Sequence, residues 1–420
     1  MRVKILRLTT RALGVTAVAA TAVTITGLGL APALAAPSAV IPVPCSTPAL
    51  TGAMSTAPSG SVLLLTPGCT YILDEALPTI SRTLIITGPA TFERSFADKT
   101  PDFSILTIAS GGQVVLNHVS FVNGDSSEDG VNGGAIYNRR GAHLTVNGGT
   151  FSNDAASHEG GAIFNCGTLH VNGAFFTHDS AEFGGAIGNE NTVSVTLSNF
   201  SHNEATDGGG LYVDGPARVD LSSFFGDNNA TYGGATYVSF HTLTLTNSQL
   251  NGNRATFGAA SYNWRGQLNL AGDTFDSNGG SGDHEGGAIY NLDQLSLAGS
   301  TLAGNSATDG GGVYNADVAT LSFDKIETNT AATDGGGIYN ADELTVSDSN
   351  FHNNHAGHDG GGIDNQEFLT ITGSQLAHNV AGLAGGGIDN QDSTTISKTS
   401  IDENTPDNCA PPGSVAGCIG

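Results

Sequence analysis

Asp364 and Asp389 occupy the same place in two copies of GGGIDN, at 360–365 and 385–390. If the two copies stack one strand spacing apart, their carboxyls lie about 5 Å from each other. Paired acids converging on one bond are what glycosidic hydrolysis requires, so these two are the candidate catalytic residues. A second group of acids, Glu285, Asp309, Asp334 and Asp359, each precedes a Gly-Gly pair. Stacked in the same way they form an oxygen-rich row of the kind that suits Ca²⁺, and they are the candidate metal ligands. The row matches no Ca²⁺ loop motif, and the neighbouring His284 and His358 would suit a softer metal. The third group is aromatic: Tyr137, Phe164, Tyr212, Tyr237, Tyr262, Tyr290, Tyr314 and Tyr339 recur at one position and use seven of the nine tyrosines. Aromatic stripes on a flat surface take sugar rings or a partner protein, which makes these the candidate ligand-binding residues.

The bulk composition narrows what can hold these groups. The 420 residues include 59 Gly, with 14 Lys and Arg against 39 Asp and Glu, for a formal net charge of −25. Four of the bases, Arg2, Lys4, Arg7 and Arg11, cluster at the start, so the rest is more acidic still. A nucleic-acid partner that must be gripped by its phosphates is excluded. At 39% apolar residues the chain is not an acidic disordered one, and so much Gly argues against long helices.

A repeat positions all three groups. GGAIYN at 133–138 returns as GGAIFN (160–165), GGAIGN (184–189), GGGLYV (208–213), GGATYV (233–238), GAASYN (258–263), GGAIYN (286–291), GGGVYN (310–315), GGGIYN (335–340) and GGGIDN twice. The period is about 25 residues. In phase with it runs an apolar residue followed three places later by Asn or Asp, from Phe151 through Phe176, Phe200 and Phe225 to Ile401. Between the two lies an alternating segment such as Leu144-Thr145-Val146. Each unit therefore offers three short strands of period two, separated by Gly, Asn and Asp turns. Strands this short bury no face alone; stacking one unit per coil pairs each with its equivalent and lines a continuous interior with Leu, Ile and Phe. The predicted fold is an all-β parallel β-helix over 76–404, right-handed by the crossover rule. The Asn that ends each GGAIYN is expected to bond along the stack as an amide ladder.

The ends carry their own signals. Residues 1–36 read as a secretory signal peptide, with a basic start, an apolar run from Ala12 to Leu34 and Ala33-Leu34-Ala35 as cleavage site. The expected location is therefore extracellular. Cys45 with Cys69 and Cys409 with Cys418 are expected as disulfides. The first belongs to an N-terminal cap at 37–75, in which 48–54 forms a short helix over the core and 37–42 is a loose leader. The second closes a C-terminal cap at 405–420. Cys166 is left over, at a turn where other copies have Arg139, Glu190 or Trp264.

Laid out in GGAI and FxxN columns, the repeats resemble those of the chlamydial polymorphic membrane proteins, a family defined by GGA(I/L/V) and FxxN. The whole chain resembles secreted β-helix proteins of the pectin-lyase-like superfamily, with the likeness covering roughly 133–404. The resemblance implies adhesion. The outer-membrane barrel that ends the chlamydial members is not expected after the last coil, so their autotransport is not carried over. Enzymes of the superfamily use paired acids for hydrolysis, or an Arg or Lys base with Ca²⁺ for lyase chemistry. The NTD, DD, GHG and RIK set of the polygalacturonases is not found, and coil bases are few and scattered. The expectation is accordingly a monomeric surface or matrix interaction protein that binds a glycan, a cell-envelope polymer or a surface protein on its Tyr-lined face. No cofactor is expected beyond the Ca²⁺ the acidic row would suit. A polysaccharide hydrolase or lyase built on Asp364 and Asp389 is the alternative, and an extracellular spacer the second.

Overall fold

The computed structural model describes residues 39–97, 100–127, 132–221, 223–280, 284–416 and 418. The expected signal peptide lies outside them. The chain winds as a parallel β-solenoid. Ile136–Asn138 pairs in register with Ile163–Asn165, and so on coil after coil, forming a 13-stranded sheet that ends at Cys409–Ala410. The alternating segments, from His143–Asn147 to Ser393–Ser397, and the FxxN strands, from Thr150–Ser152 to Ser400–Asp402, make two further ladders. These two fuse into one sheet because Thr83–Arg94 and Gln113–Val122 near the front run through both. A fourth, two-residue ladder was not foreseen. It follows the FxxN turn, as in Ser306–Ala307, Thr330–Ala331, His355–Ala356 and Val380–Ala381. Its strands are too short to show a period in the sequence.

Why the coil closes is visible at its corners. The first Gly of each pair takes a left-handed backbone, φ +66° at Gly160, where a Cβ would lie 2.2 Å from the Ile163 carbonyl oxygen. The second Gly serves another purpose: a Cβ on Gly161 would meet the Gly185 carbonyl of the next coil at 2.1 Å. Coil-to-coil approach at this corner leaves so little room that the position is Gly in every copy but GAASYN, where Ala259 is buried. The interior is filled by like on like. Phe151, Phe176, Phe200 and Phe225 stack at 4.7, 4.7 and 4.6 Å between ring centroids, and the Ile136, Ile163 and Ile187 column beside them is fully buried.

Two buried amide ladders run the length of the solenoid. The expected one joins Asn138, Asn165 and Asn189 at 2.6 and 2.7 Å, lapses where Val213 and Val238 stand, and resumes from Asn263 to Asn390. The second is the Asn of FxxN. From Asn203 to Asn404 each Nδ2 donates to the Oδ1 of the next coil at 2.9–3.0 Å, and each backbone N–H donates to that same oxygen. Nδ2 also donates to the carbonyl of the apolar residue one coil back, as Asn203 does to Phe176 at 3.2 Å. From Asn203 to Asn379 the buried Nδ2 and Oδ1 atoms of the second ladder are thereby satisfied.

The front cap is a helix, Thr47–Thr56, begun by the Ser46 N-cap and Pro48, with Leu50 and Met54 buried on the first coil. Arg82 donates to the carbonyls of Ala57 and Met54 and so satisfies the helix's open C-terminus. Residues 37–42 are not wholly a loose leader: Val40–Val43 forms a strand paired with Ser61–Leu65. Its alternate side chains reach the core, with Val43 buried. Both disulfides form, Cys45–Cys69 with Cα atoms 5.6 Å apart and Cys409–Cys418 with 6.2 Å.

Two outcomes follow. Asn278→Ala removes the partner of the Asn253 amide groups, the Leu250 carbonyl and Asn305. It is expected to lower unfolding free energy by about 3 kcal/mol, and a loss in denaturant titration below about 1 kcal/mol would count against the ladder as a stabilising device. Cys69→Ser should fray the stack from the front, read as new early protease cuts before residue 95; an unchanged digestion pattern would contradict it.

Candidate ligand-binding face

The outward residues of the 13-stranded sheet line up in register: Tyr137, Phe164, Gly188, Tyr212, Tyr237, Tyr262, Tyr290, Tyr314, Tyr339, Asp364, Asp389. Six tyrosines from Tyr212 to Tyr339 stack without interruption, centroids 4.7–5.4 Å apart and planes within 20° of parallel. The front pair, Tyr137 and Phe164, stack at 5.3 Å. Ring faces are therefore turned toward each other along the solenoid axis, and what remains open is the ring edge.

The face is not as bare as alternation suggests. The residue before each Gly-Gly folds across the outward side of the sheet and makes a ridge beside the rings. Phe183 meets Tyr212 at 5.2 Å, Tyr232 meets Tyr262 at 5.2 Å, and Phe257 meets Tyr290 at 5.5 Å. Trp264 closes the other side of Tyr262 at 6.4 Å. Tyr262 is consequently buried, 4% exposed; Phe164 is 3% exposed, and the other six rings are half-buried. These flanking aromatics were missed as contact residues. For Phe183, Tyr232 and Phe257 the signal was present, since each precedes a GG-type corner in the same column as Glu285, Asp309, Asp334 and Asp359.

Burial raises the tyrosine pKa along the stack, to about 12 for Tyr314 with Glu285 and Asp309 adding to it, and further for Tyr237, Tyr262, Tyr290 and Tyr339. The phenols stay neutral hydroxyls over the whole physiological range. Tyr290 spends part of its capacity on a hydrogen bond to Glu285.

Glu285, Asp309, Asp334 and Asp359 do stack in consecutive coils on this ridge. Their oxygens, however, face along the chain: Asp309 Oδ1 accepts from the Asp334 N–H and Asp334 Oδ1 from the Asp359 N–H, each at 3.0 Å. Among the described residues no three His, Cys, Asp or Glu side chains converge in a way that could hold a metal ion. Burial raises the pKa of Glu285, Asp309 and Asp359.

Asp364 and Asp389 are brought together as in-register partners in adjacent coils. They are not open to solvent: their exposures are 1% and 3%. The reason is again the corner, since Gly360 passes so close that a Cβ on it would lie 2.5 Å from the Asp364 Cβ. Gln366 Nε2 donates to Asp364 Oδ1 at 2.6 Å, and Gln391 does the same for Asp389. Burial, then the Asp389 charge, raises Asp364 to about 7, and Asp389 is raised by burial too.

At Gly188 the ring column has a gap, and Glu159 leans over it; a Cβ on Gly188 would meet the Glu159 Cβ at 3.2 Å. Burial raises Glu159 to about 7, with Glu190 adding to it. Cys166 is free, its Sγ 3.2 Å from Glu190 Oε2, and burial beside that carboxylate raises it to about 12, so it is a thiol and not a nucleophilic thiolate.

No protein-family model, no curated protein and no solved structure matches the chain. The likeness to chlamydial and pectin-lyase-like repeats thus rests on the GGAI and FxxN columns and the solenoid itself. Among the described residues, no helix is long and apolar enough to cross a membrane.

One titration checks the packing of the rings. Because the folded stack favours the neutral phenol, its tyrosines should resist ionisation past the ordinary value near 10, and folded stability should fall once pH exceeds it. The measurement is the tyrosinate absorbance against pH beside circular dichroism. Ionisation of most tyrosines at about pH 10 with the fold intact would show that the rings are free of one another.

Proposed function

We propose that the protein is an extracellular surface or matrix interaction protein whose Tyr-lined face takes an extended polymer, with a glycan or cell-envelope polymer as ligand. The observation that carries this reading is the unbroken run from Tyr212 to Tyr339 on a flat parallel sheet. Its repeat is one coil, about 4.8 Å, so a ligand of regular spacing meets the same group at every step. With ring faces occupied by neighbouring rings, recognition falls to the phenol edges and hydroxyls, which both donate and accept. Two disulfides and the secretory leader read from the sequence support the location. The adhesion implied by the chlamydial resemblance points the same way, as a likeness of repeats and no more.

Burial of Asp364 and Asp389 favours binding over hydrolysis, because a carboxyl without solvent access cannot reach a bond in a polymer lying on the face. The test is a glycan and cell-wall-polymer array with the chain from residue 37 onward, run with Ca²⁺ and with chelator. Tyr290→Phe with Tyr314→Phe, which deletes hydroxyls and keeps the rings, should weaken selective binding at least ~10-fold, the effect of about 1.4 kcal/mol in lost hydrogen bonds. Binding unchanged in that variant but lost in Tyr262→Ala with Tyr290→Ala would place recognition on the ring bodies. Silence throughout would favour a protein partner or a spacer, and new reducing or unsaturated ends would favour the enzyme.

A further inference from the structure

The second amide ladder begins with two residues that are not amides. Asp154 and Asp179 occupy the first two rungs of the column that Asn203 to Asn404 continue, and both are fully buried. Their Oδ1 atoms behave as asparagine oxygens do: Asp154 Oδ1 accepts from the Gly124 N–H at 2.7 Å, Asp179 Oδ1 from the Asp154 N–H at 3.0 Å, and Asn203 Oδ1 from the Asp179 N–H at 3.0 Å. Their Oδ2 atoms stand where the ladder requires a donor. In Asn203 the equivalent Nδ2 gives one hydrogen to Asn228 Oδ1 and one to the Phe176 carbonyl. At the two acids this position carries oxygen, buried and without a hydrogen-bond partner.

An ionised carboxylate at either rung would press its charge against the next Oδ1, itself an acceptor, in an apolar interior lined by Phe121, Phe151 and Phe176. A carboxylic acid removes the conflict, because Oδ2–H supplies a donor the ladder lacks. Among the described residues no opposite charge bears on the pair: burial is the largest influence on both, the Gly124 and Ser152 amides act on Asp154, and the Asp154 charge with the Asp154 and Thr177 amides acts on Asp179. Burial accordingly pushes both well above the ordinary aspartate range.

The other acids buried to the same degree inside the coils differ. Asp273 and Asp324 are 1% exposed, but each has both oxygens served. Asp273 accepts from the Ser248 N–H at 2.7 Å and the Ala271 N–H at 2.8 Å, and Asp324 from the Ser300 and Ser322 N–H groups at 2.8 and 2.7 Å. Burial still raises those two, to about 7, but their oxygens all have donors, whereas Oδ2 at 154 and 179 has none.

We infer that Asp154 and Asp179 stand in the ladder as neutral carboxylic acids, each donating its Oδ2–H to the next oxygen along the axis, and form a proton latch that holds the coils from Gly124 to Asn203 together in acid and releases them as pH rises. The sign follows from linkage. Below the ordinary aspartate value of about 3.9 the acids are protonated whether the coils are closed or open, and the latch is fully engaged. Above it the open coils release protons that the closed ones keep. Each acid then costs closure about tenfold per pH unit until its closed-state pKa is reached.

Two measurements on the full chain test the latch. Difference infrared spectroscopy at about pH 7 should show a protonated carboxylic-acid carbonyl band in the wild type that is reduced in Asp154→Asn with Asp179→Asn, a variant that completes the ladder. A band that is absent, or unaltered in the variant, overturns the proposal. Hydrogen exchange, corrected for intrinsic rates, is then compared between about pH 5 and about pH 9. Wild-type amide protection in 124–203 should fall at least ~10-fold more than in 224–262, a stretch whose one acid is Asp227. The double Asn variant should lose that difference, while Glu204→Gln, which removes an exposed charge nearby, should keep it. Equal pH response of the two segments in the wild type, or persistence of the difference in the Asn variant, overturns the latch even if the fold is intact.

Discussion

Everything in this solenoid depends on each residue lying one strand spacing from its own counterpart in the next coil. Identity of position turns a weak preference into a column. A single Asn in a β-turn contributes one or two hydrogen bonds, whereas in register from Asn203 to Asn404 each amide completes its neighbour's valence. The same register aligns Phe151 to Phe225 inside and Tyr212 to Tyr339 outside. It also imposes the reverse condition, because whatever is wrong at one rung is wrong for the rung beside it. The GG corners are the strictest case: backbone of one coil touches backbone of the next, and only Ala259 carries a methyl group at the second position.

The sequence made the solenoid legible because a period of about 25 residues with three phased columns has few other physical solutions. The Tyr and acid columns were likewise correctly aligned, and the short helix expected at 48–54 over the front coil forms as Thr47–Thr56. What escaped notice is instructive. Alternation states which side of a strand a residue points to, not whether that side is open. Asp364, Asp389, Phe164 and Tyr262 all point outward and all are buried, because the corner before Gly-Gly folds back over the sheet. No period in the sequence records that fold-back; it follows from left-handed backbone at Gly160 and its equivalents. The fourth ladder escaped for a simpler reason, since two residues cannot display a period of two.

The same geometry changes what the aromatic column can do. A lone tyrosine offers a sugar its face; a tyrosine between two others offers only its rim. Stacking therefore exchanges a few strong, orientation-tolerant contacts for many identical polar ones whose spacing is fixed by the backbone. Selectivity on such a surface comes from periodicity, and a short ligand gains little from it.

The front disulfide has a mechanical meaning. Hydrogen bonds between coils lie along the solenoid axis, so a pull on the two ends loads them one coil at a time and does not shear many together. Each coil that peels away gives up one strand spacing and returns a free segment of about 25 residues, which extends to roughly 80 Å. Cys45 and Cys69 are 24 residues apart, one coil, and their bond ties neighbouring turns directly. Under tension from the leader side the first turn cannot be paid out, and the load passes through a covalent link to coils deeper in the stack. The protein is a spring whose outermost winding is soldered.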